Sequence, residues 1–165
     1  MSKKVAYYGI FAALAVLMGY VEFVLPSPVP IQGVKLGLAN VIVVIAMYFM
    51  GEKSALAISV VRVIMSSLLF GGFSGFLYSI AGALVSFGAM CIVKKIKAVS
   101  IIGASIVGGI FHNIAQITVA ALVLNTKGVF YYLPVLLISG VITGIIIGLI
   151  SKYCLAHIEK AGIRF

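Results

Sequence analysis

Six apolar runs follow one another along this chain, and the connections between them are short. They cover Val5–Leu25, Leu36–Met50, Ala55–Phe70, Phe76–Val93, Val99–Leu124 and Tyr131–Tyr153. A chain that is apolar on nearly every helix face needs lipid as its solvent. Composition closes the water-soluble alternative: 64% of residues are hydrophobic and 9% are charged, with a mean hydropathy of +1.30. Twelve basic and three acidic side chains are too few to clothe a soluble domain of 165 residues. The expected architecture is all-α and integral to the membrane, one domain over residues 1–165, built as a bundle of six transmembrane helices.

A bilayer core of about 30 Å takes roughly 20 helical residues to cross. The first, fourth, fifth and sixth runs reach that length, while the second and third are short. A competing count treats those two as one re-entrant hairpin. Between runs the stop signals are clear. Pro26, Pro28 and Pro30 end the first helix, because proline removes a donor and clashes with the preceding turn. Gly71-Gly72-Phe73-Ser74-Gly75 reads as a flexible turn. The N-terminal Met1-Ser-Lys-Lys and its apolar run read as the first span, with no small-residue cleavage site of the signal-peptide kind.

Lysine and arginine set the orientation. With six spans, Lys3, Lys4, Lys53, Lys94, Lys95, Lys97, Lys152, Lys160 and Arg164 fall on one side. Only Lys35 and Lys127 fall on the other, with Arg62 inside a run. This asymmetry places both termini in the cytoplasm. The proline-rich segment 26–37, the glycine turn and residues 125–130 then face outward. The net charge of +9 is thus a topology signal, and no basic stripe interleaved with aromatics points to nucleic acid. Phe70, Phe73, Phe76, Tyr78, Phe130, Tyr131 and Tyr132 gather at the outer level, as an interfacial aromatic belt would.

Polar groups within spans are costly and deserve individual readings. His112, Asn113 and Gln116 cluster on the fifth run, and His112 and Gln116, four residues apart, share a helix face. Gly108 and Ala120 continue that face, and Ser105 and Gly109 lie near it. Two readings stand side by side: part of a binding site, or a hydrogen-bond network between helices. Arg62 is the one charge near mid-span, with Ser59 and Ser66 on roughly its face. It must meet a polar interior, a counter-ion or an anionic ligand. Glu22 lies several ångströms shallower by helical rise and suits the outer rim, with Lys35. The stiff loop over 26–37, carrying Gln32 and Lys35, suits a lid, with Asn40 at the same outer rim.

Small residues form rows at helical spacing. Gly9 with Ala13, and Ala15 with Gly19, mark the first run; Gly140, Gly144 and Gly148 mark the sixth. Such rows let backbones approach closely, which matters where apolar burial no longer drives helices together. The sixth-run row suits packing within the bundle, while a row on the first run suits a partner helix equally well. Enzyme chemistry finds little footing. There is no Walker-type glycine loop, and the chain contains no Asp, so no Asp-rich motif can hold magnesium against a diphosphate. Cys91 and Cys154 make neither a metal spacing nor a disulfide framework. No metal and no cofactor is called for.

Three stretches carry a resemblance: Gly33-Val-Lys-Leu-Gly-Leu-Ala-Asn40, Arg62-Val-Ile-Met-Ser-Ser-Leu-Leu-Phe-Gly-Gly-Phe-Ser-Gly75 and Gly109-Ile-Phe-His-Asn-Ile-Ala-Gln116. Over nearly its whole length the chain resembles a bacterial membrane family that carries two names, Gx transporter family and heptaprenyl diphosphate synthase component I. That family in turn is similar to the substrate-binding S components of energy-coupling factor transporters. Those have six helices, cytoplasmic termini, an outer loop over the ligand, and an alanine row on the first helix facing a transmembrane coupling partner. The first helix here differs, offering Gly9 with Ala13 and Ala15 with Gly19 in place of the alanine pair. The resemblance implies a substrate-binding subunit of an ATP-driven uptake transporter. His112, Asn113, Gln116 and Arg62 would contact a small molecule captured from outside, and a coupling protein with ATPase subunits would power its movement. The second family name implies a non-catalytic membrane accessory beside a prenyl synthase subunit.

Overall fold

The computed structural model describes residues 2–25, 37–163 and 165. All regular structure among them is helical: α1 (Ser2–Val24), α2 (Leu38–Phe49), α3 (Glu52–Ser66), α4 (Gly72–Lys94), α5 (Ile101–Val123) and α6 (Leu133–Lys160). Helices satisfy every backbone group within the segment, which is what lipid demands. Four stretches are long and apolar enough to cross a membrane: Lys3–Val24, Glu52–Lys94, Ile101–Val123 and Lys127–Lys160. The chain is therefore a multi-pass membrane protein.

Two boundaries differ from the sequence reading. The turn expected at 71–75 is present but narrowed to Gly72, with helix on both sides. A π-helical turn, Ser67–Gly71, runs from α3 directly into α4, and the Gly72 N–H donates to the Ser67 carbonyl five residues back. Gly72 takes up the change of direction alone, at φ +65°, a conformation that glycine adopts without a Cβ penalty. The third and fourth runs are thus joined without a loop and reverse at Gly72, and the structure shows four long apolar stretches where six separate spans were expected. The last helix also outlasts its apolar run, ending at Lys160. His157 and Lys160 in its last turn suit the negative end of the helix dipole. The N–H of Gly162 (φ +68°) bonds to Glu159, and that of Ile163 to Ile158, closing the helix end.

The stretch Glu52–Lys94 folds back on itself. Lys94 Nζ lies 3.8 Å from Glu52 Oε1, so the end of α4 stands beside the start of α3. Lys94 also donates to the Met47 carbonyl at 2.9 Å, satisfying a group in the last turn of α2 that has no intrahelical partner. The same end of the bundle gathers both ends of the described chain. Phe165 lies 5.9 Å from the Tyr7 and Tyr8 rings and 6.2 Å from Phe49, and Tyr8 hydrogen-bonds Ser54 at 2.6 Å.

α2 has only 12 residues, about 18 Å of helix. It is short because protein rather than lipid surrounds it: Val41, Val43, Val44, Ile45, Ala46 and Met47 are all buried. α1 and α3 pack against it, and so does α6. α5 lies between α4 and α6. The α5–α6 seam is a backbone contact. A Cβ at Gly144 or Gly148 would fall 2.6 Å from the Cα of Ile106 or Ile102, and one at Gly140 would fall 2.9 Å from the Gly109 carbonyl oxygen. The glycine row of the sixth run packs inside the bundle.

Candidate functional site

All six helices contribute to one cavity of about 260 Å³. α1 brings Gly19 and Glu22 to its wall, α2 brings Asn40, and α3 with the π-turn brings Arg62, Ser66 and Phe70. α4 adds Ser79 and Ser86, α5 adds Ser105, His112, Asn113 and Gln116, and α6 adds Thr143. Residues from opposite ends of the sequence thus converge on one space between the helices.

The wall formed by α1, α2 and α3 is a connected polar arc. Arg62 Nη2 donates to Asn40 Oδ1 at 3.3 Å. The Asn40 N–H donates to the Gly37 carbonyl at 2.8 Å, and the Gly37 N–H donates to Glu22 Oε1. Gly37, at φ +74°, turns the chain into α2 so that its N–H meets that carboxylate. Glu22 and Asn40, expected at the outer rim, therefore line the same cavity as Arg62. The lid residues Gln32 and Lys35 lie outside the described residues.

The facing wall is α5. His112 is seated over α4, where a Cβ on Gly82 would fall 2.7 Å from its Cε1. Asn113 Nδ2 donates to the Leu136 carbonyl at 2.5 Å, so one member of the expected polar trio ties α5 to α6. Three buried polar atoms have no hydrogen-bond partner among the described residues: Arg62 Nε, Ser66 Oγ and Ser105 Oγ. All three residues line the cavity. Unmet buried donors are costly and rare, and a ligand in this space would meet them. Among the described residues no group of three or more His, Cys, Asp or Glu is placed to hold a metal.

The small residues of α1 divide. Ala15 is fully buried, and Gly19 packs against Ser66, Ala39 and Phe70. Gly9 and Ala13 face outward, with open space around Gly9. Sequence reasoning missed Ser79, Ser86 and Thr143. The two serines had a signal: Gly75, Ser79, Gly82 and Ser86 recur at spacings of four, three and four, one small or polar face of a helix. Thr143 gives little sign, and its hydroxyl donates to the Ser139 carbonyl of its own helix at 2.9 Å. Phe70, assigned to the aromatic belt, turns inward instead, packing on Phe23 at 5.1 Å and Tyr20 at 5.8 Å.

Fold and cavity together define a multi-pass helical membrane protein with a polar chamber between its helices. Residues 11–154 match the heptaprenyl diphosphate synthase component I family, and the chain belongs to that family. No curated protein and no solved structure matches it.

Proposed function

We propose that this chain is a non-catalytic membrane subunit of isoprenoid diphosphate synthesis, as its family is named, and that its cavity holds a small polar ligand. The family membership supports the first part. The convergence of Arg62, Asn40, His112 and Gln116 on one chamber supports the second. The absence of Asp from the chain leaves the magnesium–diphosphate chemistry to a separate prenyl synthase subunit. The reading includes one domain crossing the bilayer six times, with α2 crossing as a protein-encased helix. It also puts both termini in the cytoplasm, on the lysine-rich side.

A second reading is favoured by the cavity itself. A polar chamber walled by all six helices suits capture of a hydrophilic molecule better than it suits a long prenyl chain, which needs a lipid-facing groove. On that reading the chain is an S-component-like substrate-binding subunit of an ATP-driven transporter. His112, Asn113, Gln116 and Arg62 then contact the cargo, and the outward face with Gly9 and Ala13 meets the transmembrane coupling protein.

Native mass spectrometry of the protein gently extracted from its own membranes tests both. A retained prenyl synthase subunit is expected on the first reading, and a retained coupling protein with ATPase subunits on the second. Release of a small molecule on denaturation is expected on either. Recovery of the bare chain with no bound molecule would sink both.

A further inference from the structure

A hydroxyl within a helix can donate to the carbonyl one turn back. Thr118 does so on α5, meeting the Ile114 carbonyl at 2.7 Å, and Thr143 does so on α6, meeting Ser139 at 2.9 Å. Ser105 does not. Its Oγ is buried without a partner among the described residues, in a side chain that lines the cavity. The α5–α6 seam also holds its backbone in place, since a Cβ on Gly144 would fall 2.8 Å from the Ser105 carbonyl oxygen. A buried hydroxyl left unmet is costly, and this one cannot move away to find a partner.

Ser105 marks one end of the cavity. Along α5 the lining runs from Ser105 to Gln116, about 16 Å of helix, and along α4 from Gly75 to Met90, about 22 Å. The two helices run in opposite directions, so the Ser105 end of α5 lies beside the Met90 end of α4. There a Cβ on Gly108 would fall 2.7 Å from Met90 Sδ and 3.2 Å from Ser86 Oγ. Met90 thus lies across Gly108 as a floor, with the hydroxyls of Ser86 and Ser105 beside it. A cavity of about 260 Å³ drawn out over that length is a narrow slot. Its far end carries Ser79 and Gln116.

We propose that Ser86, Ser105 and Met90 form an inner subsite, which takes the hydrogen-bonding end of a slender molecule lying along α4 and α5. A serine hydroxyl both donates and accepts, so the end group is of the hydroxyl, carbonyl or amide class. The subsite rests on the cavity being a ligand site, which both readings above share, and it adds that the ligand is extended.

The test uses the full chain in mild detergent, in a Cys91→Ser, Cys154→Ser background. The probe is hydroxyethyl methanethiosulfonate, a small neutral thiol reagent, with modification followed by mass spectrometry. In protein dialysed free of its small molecule, Ser79→Cys and Ser105→Cys should both be modified. Ser151→Cys, fully buried and outside the cavity lining, should not. In protein that keeps the molecule, modification should be about tenfold slower at both Ser79→Cys and Ser105→Cys. Ser105→Ala should keep about a tenth of the wild-type amount, as loss of a buried hydrogen bond entails, and Thr118→Ala the full amount. No modification of Ser105→Cys in the emptied protein, protection of Ser79→Cys alone, or wild-type retention in Ser105→Ala would each overturn the inner subsite and leave the ligand site standing. A wild-type protein that releases no molecule on denaturation would overturn the ligand site and this proposal together.

Discussion

The His112 imidazole lies across Gly82, so close that a Cβ there would sit 2.7 Å from Cε1 and 2.9 Å from each ring nitrogen. α4 thus holds the ring against the cavity through a missing side chain. Gly82→Ala should gain about 1 kcal/mol of helix propensity and lose about 1–3 kcal/mol to overpacking. Stability should change little, but the ring must move. The bound molecule, quantified by mass spectrometry after denaturation, should fall to a small fraction of the wild-type amount. Wild-type occupancy in a folded Gly82→Ala protein would show that the position of His112 is immaterial to binding.

The α5–α6 seam gives a sharper stability contrast. A Cβ at Gly144 would meet the backbone of Ile106 at 2.6 Å and that of Ser105 at 2.8 Å, and backbone cannot swing aside as a side-chain tip can. Gly88 on α4 has nothing within 4 Å. Gly144→Ala should therefore lower the melting temperature, at a cost of about 1–3 kcal/mol. Gly88→Ala should leave it level or raise it, by up to about 1 kcal/mol. Equal melting temperatures for the two variants would mean that the seam is looser than its geometry implies.

These relationships were unevenly visible in the sequence. The apolar runs and the row Gly140, Gly144, Gly148 are local periodicities, and local periodicity is read directly from a chain. So was the shared face of His112 and Gln116. The meeting of Glu22, Asn40 and Arg62 was not visible, because it joins three helices through long-range packing that no spacing encodes. The glycines at 71–75 marked the reversal but not its shape. Glycine's low helix propensity is measured in water, whereas in lipid an unpaired backbone group costs more than glycine's entropy. The chain therefore stays helical up to Gly71, widening to a π-turn, and reverses at Gly72 alone. The bond from Asn113 to the Leu136 carbonyl was not visible either, because it depends on where α6 docks.

At the opposite end from the π-turn, Lys94 and Glu52 form a pair whose side chains are 25% and 40% exposed. Such a pair contributes at most about 1 kcal/mol, so Glu52→Gln should be nearly silent in thermal unfolding. Lys94→Met should cost more. It removes the donor to the Met47 carbonyl and the ammonium 5.0 Å from the Tyr48 ring centroid, leaving the end of α2 uncapped. A larger loss from Glu52→Gln than from Lys94→Met would reverse the assignment of Lys94 as the cap.

The proposed orientation can be tested without the ligand. α6 runs from Leu133 to Lys160 and is about 42 Å long, so Thr126 before it and Ala161 after it lie at opposite ends of the bundle. The end with Ala161 is the lysine-rich one, where Lys4 sits 5.1 Å from the Phe165 ring centroid and Lys94 meets Glu52. Lysine-rich ends stay in the cytoplasm. In a Cys91→Ser, Cys154→Ser background, Thr126→Cys should react with a membrane-impermeant maleimide on intact cells, and Ala161→Cys only after permeabilisation. The reverse pattern would invert the protein and turn the cavity's Glu22 side toward the cytoplasm. Labelling of both from one side would mean that α6 does not cross the membrane.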